Sequence, residues 1–244
     1  MFYVTGDTHG NQTQWMTSMD KFLKKGDTII VVGDFGIGFF DGRHWPEDMF
    51  FDYLSEKPYT VLFIDGNHEN FDKLNSYPVS EWHGGKVHLV RKNIIHLMRG
   101  EVYEIDGEKM FVMGGGYSLD KVRRVEGETW WKEELPNDEE YENARKNLEK
   151  HNYQVDYVIT HTAPINTVEY MIRLGVGPTS PIADEYNLTT FLQWVSDKIF
   201  YKKWYFGHFH TDKELWRNQY VVLDTVRDLK TGNAERMRKL NSFG

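Results

Sequence analysis

The sequence of 244 residues contains no cysteine. This absence excludes a disulfide framework, a thiolate nucleophile and a zinc site built on cysteine, and it is compatible with a reducing compartment. Long apolar runs are also missing, and the opening segment MFYVTGDTHG lacks the basic and apolar regions of a signal peptide. We therefore expect a cytoplasmic protein with no membrane-spanning segment and no membrane partner.

Positive charge is scarce as well. Lys and Arg number 29 against 37 Asp and Glu, so the formal net charge is -8. Such a surface repels polyanions, and extended binding along nucleic acid is therefore not expected. The hydrophobic content of 40% and the aromatic content of 15% instead fit a globular domain with a full core.

Short apolar runs alternate with polar, helix-like stretches along most of the chain. Runs that are β-branched or aromatic, as in buried strands, lie at residues 2–5, 28–32, 60–64, 156–160 and 203–207. Helices are predicted at residues 12–25, 46–55, 137–151 and 187–199. This pattern predicts an α/β fold.

The middle of the chain has a different pattern. Residues 86–113 alternate in polarity and contain an Asp106-Gly107 turn, so a meander of antiparallel strands is expected there. A last strand is predicted at residues 219–225. Together these elements predict one domain over residues 1–226, with two mixed sheets between helices, followed by a polar tail at residues 227–244.

Polar side chains follow each of the five buried runs. They are Asp7, His9, Asp34, Asn67, His161, His208 and His210. Open α/β sheets bind their ligands at the carboxyl ends of strands. Each residue alone could be an ordinary polar strand end, but chain reversal does not require His or Asn at so many of them. The sequence therefore predicts a metal site.

The donor types indicate which metals. Seven oxygen and nitrogen donors are too many for one tetrahedral zinc ion, too rich in nitrogen for calcium and atypical of magnesium alone. They suit two divalent transition-metal ions, about 3.5–4 Å apart, that share a carboxylate and a hydroxide. Asp34 is the predicted bridge. Manganese is the preferred ion, with iron, zinc, cobalt and nickel as alternatives.

Proton transfer to a departing alkoxide needs an acid that is not a metal ligand. His68 lies beside the predicted ligand Asn67 and is the predicted acid.

The ordered motifs GDTHG, GDFG, GNHE, TH and GHFH resemble those of the calcineurin-like metallophosphoesterase superfamily, and GGGYSLDKVRR resembles a segment of its bacterial and phage members. The ordered motifs extend from Asp7 to His210. The resemblance implies a four-layer α/β/β/α sandwich. It also implies one ion on Asp7, His9 and His210, a second ion on Asn67, His161 and His208, Asp34 between them, and His68 as acid or transition-state stabiliser.

The motifs depart from those of the Ser/Thr protein phosphatases in this superfamily. GDFGIGFF lacks the Asp-Arg pair found there, and Asn70 stands where an Arg would follow GNHE. Phosphate binding would then depend on the metals and on other cations. Lys121, Arg123 and Arg124 are the predicted substrate contacts, with an ordinary surface helix start as the alternative.

The predicted function is that of a phosphoester hydrolase. A hydroxide that bridges two metal ions would attack a phosphodiester or phosphomonoester in line, and a small nucleotide-like substrate is slightly preferred over a phosphoprotein. One alternative is a nuclease or nucleic-acid end-processing phosphoesterase, which the acidic surface disfavours. Another is a non-catalytic metal-binding scaffold, which the complete ligand set disfavours. No oligomeric state follows from the sequence.

Overall fold

Two mixed β-sheets pack face to face in the computed structural model, which describes residues 1–235. The strands are β1 (Phe2–Thr5), β2 (Thr28–Val31), β3 (Thr60–Phe63), β4 (Val79–Trp82), β5 (Gly85–Arg91), β6 (Ile94–Leu97), β7 (Val102–Ile105), β8 (Glu108–Met113), β9 (Tyr157–Thr160), β10 (Lys203–Phe206), β11 (Lys213–Glu214), β12 (Gln219–Val221), β13 (Val226–Asp228) and β14 (Ala234–Glu235).

Helices cover the outer faces of both sheets. They are α1 (Gln12–Gln14), α2 (Asp20–Phe22), α3 (Glu47–Ser55), α4 (Phe71–Ser76), α5 (Asp138–Lys150), α6 (Ile165–Arg173) and α7 (Tyr186–Lys198). A π-helical segment, Trp15–Met19, joins α1 to α2. The sequence predicts neither α4 nor α6. None of the described helices is both long enough and apolar enough to span a bilayer.

Three apolar layers hold the sandwich together. Successive strand residues point to opposite faces, so Ile30 of β2 and Ile159 of β9 enter the core between the sheets. Their neighbours Ile29 and Val158 enter the two outer cores, beneath α1–α4 and α5–α7 respectively. The predicted four-layer α/β/β/α arrangement is therefore confirmed.

The parallel strands determine where a site can form. The larger sheet has the order β14-β13-β1-β2-β3-β6-β5-β4, and the smaller has the order β11-β12-β10-β9-β8-β7. The strands β1, β2, β3 and β6 are parallel, as are β8, β9, β10 and β12. Because ligand sites form at the carboxyl ends of such strands, the loops after β1, β2, β3, β9 and β10 are placed to meet.

The segment 86–113 is divided between the two sheets and does not form one continuous meander. Its first half pairs as β5 and β6 in the larger sheet, where β6 also lies parallel to β3. Its second half forms the hairpin β7–β8 in the smaller sheet, with the predicted turn at Asp106-Gly107. Alternating polarity shows that a strand has two different faces, but it does not show which sheet the strand joins.

Residues 226–235 form a hairpin at the edge of the larger sheet, where the sequence suggested a polar tail from residue 227. β13 pairs antiparallel with β1, and β14 pairs antiparallel with β13. Val226 and Leu229 are buried. The rest of the predicted tail, residues 236–244, lies outside the described residues.

Candidate metal centre

Two loops bring together the donors expected for the first ion. Asp7 and His9 follow β1, and His210 follows β10. His210 Nε2 lies 3.5 Å from Asp7 Oδ2 and 3.2 Å from His9 Nε2. Two ring nitrogens that face each other at such a distance need a proton or a cation between them, because their lone pairs repel.

Three loops bring together the donors expected for the second ion. Asn67 follows β3, His161 follows β9, and His208 follows β10. Asn67 Oδ1 lies 3.1 Å from His161 Nε2 and 3.0 Å from His208 Nδ1. His161 Nδ1 donates its proton to the backbone oxygen of Val32 at 2.8 Å, so a neutral His161 ring directs its Nε2 lone pair at this cluster.

Asp34, after β2, lies between the two groups of donors. Its Oδ2 is 3.8 Å from His9 Nδ1, and its Oδ1 is 3.4 Å from His161 Nε2. The structure thus brings all seven predicted ligand side chains into one cluster, with Asp34 at its middle. Donor atoms of Asp7, His9, Asp34 and His210 all lie within 4.8 Å of one another, close enough to hold a metal ion.

Two glycines allow the loops to approach one another closely. A Cβ on Gly33 would lie 2.1 Å from His161 Nδ1, and a Cβ on Gly207 would lie 2.1 Å from Asp7 Oδ1. Contacts of this length are not possible for carbon, so any side chain at either position would displace a predicted ligand. Space therefore requires glycine at both positions, and Gly33, with φ of 99°, also has a backbone conformation that favours glycine.

The loop that carries Asp34 is held from behind by a buried carboxylate. Glu69 accepts hydrogen bonds from the backbone N–H groups of Phe35, Gly36 and Ile37. Its side chain is completely buried. Glu69, the last residue of GNHE, thus fixes the shape of the GDFGIG loop, and sequence reasoning did not single it out.

The electrostatics of the cluster favour a bound cation. Burial raises the pKa of Asp7 to about 7, and the neighbouring Asp34 carboxylate adds to this rise while His161 opposes it. Burial acts against ionisation of Asp34 too, but His161, His68 and His9 hold its pKa well below the usual value. The negative charges of these two buried carboxylates repel each other, and a bound cation would stabilise the ionised form of both. Donor types, distances and charge therefore fit divalent cations.

His68 lies at the rim of the cluster. Its ring centroid is 5.2 Å from that of His9, and its backbone N–H donates to Asp34 Oδ1 at 2.8 Å. Burial lowers the pKa of His68 to about 4, against the opposing effect of Asp34. Among residues 1–235, no carboxylate hydrogen-bonds the His68 ring. The neighbouring Gly36–Gly38 loop contains no acidic residue that could do so.

Of the three predicted substrate contacts, Arg124 is the one whose charge acts on the histidines of the cluster. Its charge contributes to the lowered pKa of both His9 and His68. Its Nε donates to Asp120 Oδ1 at 2.8 Å and its Nη1 donates to the Thr129 carbonyl at 3.1 Å. Within the described part of the chain, Nη2 has no hydrogen-bond partner.

The other two basic residues have different surroundings. Lys121 Nζ lies 3.9 Å above the centroid of the Trp130 ring, a cation–π contact. Arg123 is exposed and makes no ion pair with another described residue. Neither side chain hydrogen-bonds a predicted metal ligand among the described residues, and their contact with the substrate stays a prediction.

Two further buried side chains contact the predicted ligands from outside. Glu185 Oε1 lies 3.2 Å from His208 Nε2, and the Ser118 hydroxyl lies 3.2 Å from Asn67 Nδ2. Both residues lie in segments with no periodic pattern, so only the fold could reveal them. Ser118 does lie in GGGYSLDKVRR, the segment that resembles one in bacterial and phage members of the superfamily.

Comparison with protein-family models gives a match that covers most of the chain. A model of the family described as calcineurin-like phosphoesterase matches residues 1–212. A search among curated proteins finds no significant match.

Proposed function

The chain belongs to the calcineurin-like phosphoesterase family, whose members are metal-dependent phosphoesterases, and from this premise we propose a two-metal hydrolase of a small phosphodiester or phosphomonoester. The observation that supports the proposal is the convergence of seven donor side chains from five loops, with His68 and Arg124 at the edge. The cluster is far larger than a single structural ion would need.

The proposed metal ligands divide into two sets around Asp34. Asp7, His9 and His210 would hold one ion, and Asn67, His161 and His208 would hold the other. When bound, such a pair of ions supplies a water-derived nucleophile near neutral pH and offsets the negative charge of a phosphoryl group. We propose manganese as the ion, with iron, zinc, cobalt and nickel as alternatives.

His68 and Arg124 are the proposed substrate-facing groups. A neutral imidazole still carries one N–H, so His68 could donate a hydrogen bond to the leaving oxygen. Arg124 offers the unpartnered Nη2 to a phosphate oxygen. It would replace the arginines that the motifs lack, because a guanidinium forms strong charge-assisted hydrogen bonds to phosphate.

The chemical test uses two chromogenic substrates. Metal-stripped protein is assayed with bis-p-nitrophenyl phosphate and with p-nitrophenyl phosphate after each candidate metal is returned. We expect manganese-dependent turnover that falls about 100-fold or more in His68→Ala. Turnover that survives metal removal, or that His68→Ala leaves unchanged, would contradict the mechanism; a monoester preference would redirect the substrate search to phosphatases.

Arg124 is tested separately. Arg124→Ala should lower kcat/KM by about 10–100-fold, because a charged hydrogen bond to phosphate contributes roughly 1.5–3 kcal/mol. Arg173→Ala, which removes an exposed arginine of α6, is the control and should have no effect. Equal activity of the two variants would remove Arg124 from the substrate site.

A further inference from the structure

The two proposed metal sites differ in how firmly the protein holds their donors. The His161 and His208 side chains are 0% and 10% exposed, whereas those of His9 and His210 are 38% and 59% exposed. The difference arises from the segment 114–118 and from two carboxylates behind it, Glu134 and Glu185, both of which are buried.

Glu185 determines which nitrogen of His208 faces the site. Its Oε1 lies 3.2 Å from His208 Nε2, so an ionised Glu185 places the ring proton on Nε2 and leaves Nδ1 as a lone-pair donor. That Nδ1 is the atom 3.0 Å from Asn67 Oδ1. Glu185 is itself fixed, because it accepts the Tyr117 backbone N–H and the Thr162 hydroxyl, each at 3.0 Å.

Ser118 has the same role for Asn67. Asn67 Nδ2 donates to the Ser118 hydroxyl oxygen at 3.2 Å, which turns Oδ1 of the amide toward His161 and His208. The Ser118 backbone N–H donates to Glu134 Oε1 at 3.2 Å, which holds the Ser118 backbone in place. A hydroxyl oxygen has two acceptor lone pairs, so the fixed Ser118 side chain can accept the amide N–H.

Gly116 completes this arrangement. A Cβ at this position would lie 3.0 Å from His161 Cδ2, 3.2 Å from Asn67 Oδ1 and 3.2 Å from His208 Cε1. The backbone of the segment therefore packs directly against all three donors of the second site.

We propose that Glu185 and Ser118 are positioning residues that orient His208 and Asn67 and thereby set the affinity of the second metal ion alone. This inference rests on the proposed two-metal function. Outer partners that fix a ligand's tautomer and direction typically change metal affinity by about 10–100-fold when they are removed. The donors of the first ion make no hydrogen bond or ion pair with Glu185 or Ser118 among the described residues, so its affinity should not change.

The chemistry of Glu185 allows graded variants. In Glu185→Gln, the side-chain oxygen can still accept from His208 and Tyr117 while the new NH2 group meets the Thr162 oxygen. The tautomer of His208 is then preserved and only the charge is lost. In Glu185→Ala the charge and the acceptor for His208 are both lost, so Nδ1 of His208 is no longer favoured as the unprotonated nitrogen.

The experiment is a manganese titration of metal-free protein, in which calorimetry and electron paramagnetic resonance measure the binding. We expect two ions in the wild type, with the spin-coupled signal of a manganese pair. Glu185→Ala and Ser118→Ala should bind the second ion about 10–100-fold more weakly and show the signal of isolated manganese at low loading. Glu185→Gln should recover most of the lost affinity. Glu101→Gln, at a buried carboxylate that accepts from two asparagines remote from the centre, is the control.

The ring of His208 gives a readout that needs no metal. In the metal-free wild type and in Glu185→Gln, nitrogen-15 spectra should show the His208 proton on Nε2, and in Glu185→Ala a mixture of tautomers. Ser118→Ala keeps the inference testable if Glu185→Ala does not fold. Two ions bound with unchanged affinity in Glu185→Ala and Ser118→Ala would overturn the inference alone, whereas fewer than two ions in the wild type would overturn the two-metal proposal and the inference with it.

Discussion

Four residues of the candidate metal centre have a left-handed backbone although none is glycine. His9, Asp34, His208 and His210 have φ values of 45°, 50°, 66° and 48°. For residues with a Cβ this conformation costs roughly 1–2 kcal/mol each. Strain of this kind concentrates at functional sites, where surrounding structure maintains it.

The strain at His210 can be measured directly. In metal-free protein, His210→Gly should be more stable than His210→Ala by about 0.5–1 kcal/mol, because glycine accepts positive φ at little cost. Unfolding by denaturant in the presence of a chelator measures the difference. The same pair at Lys146, an exposed position of α5, should show the opposite order. If the alanine variant were the more stable one at both positions, the His210 backbone would not be strained.

His88 and His96 form a buried pair of histidines that are not predicted metal ligands. Their Nδ1 atoms are 3.0 Å apart, and His96 Nε2 lies 3.1 Å from Asp65 Oδ1. Burial, together with the neighbouring His96, lowers the pKa of His88 to about 4 although Asp65 opposes the shift. The folded protein therefore resists protonation of His88, while the unfolded chain protonates it near the ordinary value of about 6.5.

This pKa difference predicts an acid-sensitive contribution to stability. Above about pH 6.5 His88 is neutral in both states, and as the pH falls toward 4 the unfolded state takes up the proton first. The wild type should therefore lose up to about 2 kcal/mol of unfolding free energy between pH 7 and 5 that His88→Gln does not lose. Parallel pH profiles of the two proteins would show that His88 is not responsible.

At the scale of elements, the loop after β2 depends on a residue from the loop after β3. Glu69 accepts three consecutive backbone N–H groups of that loop, and a glycine with φ of 99°, Gly36, lies among them. The carbonyl oxygens of Asp34 and Phe35 accept the N–H groups of His9 and Gly10, whereas Glu69 accepts the N–H groups on the other side of the loop. Glu69 therefore provides most of the acceptors for the N–H groups of this loop.

Removal of Glu69 should therefore be costly. Glu69→Ala leaves three N–H groups without an acceptor, and we expect a loss of about 3 kcal/mol or more of unfolding free energy in metal-free protein. Glu47→Ala is the matched control, because Glu47 accepts only the Gly38 N–H of the same loop and should cost about 1 kcal/mol. Chemical denaturation with a chelator present compares them. Similar losses would mean that Glu69 does not hold the loop.

The strands that position the metal centre could be predicted because each is a short β-branched or aromatic run followed directly by its polar residue. Other elements could not. α6 begins after Pro164 without a side-chain cap, and α4 is only six residues long. The division of residues 86–113 between two sheets depends on packing partners that local polarity does not specify. Glu185 contacts Tyr117 across 68 residues of sequence, so its position depends on the tertiary fold.

At the scale of the whole molecule, two sheets contribute unequal parts of one site. The larger sheet supplies Asp7, His9, Asp34 and Asn67. The smaller sheet supplies the other three predicted ligands, His161, His208 and His210. The shared core between the sheets therefore fixes the distance between the two donor groups. A metal pair held across this junction should bind the folded protein and not the unfolded chain.

Manganese should consequently stabilise the whole domain. At a free concentration of about 100 times Kd, each bound ion adds roughly 2.7 kcal/mol, which for a domain of this size raises Tm by about 5–10 °C per ion. Asp34→Ala should lose most of this increase, because both ions depend on the bridging position. Thermal melts with manganese and with chelator make the comparison. An equal increase in Asp34→Ala would place the ion elsewhere.

The central claim, that the clustered side chains hold two metal ions, is tested most directly by anomalous diffraction from crystals grown with manganese. The account predicts two anomalous peaks about 3.5–4 Å apart, on either side of the Asp34 carboxylate. One peak should lie among Asp7, His9 and His210, and the other among Asn67, His161 and His208. A single peak, or peaks away from these residues, would contradict the account.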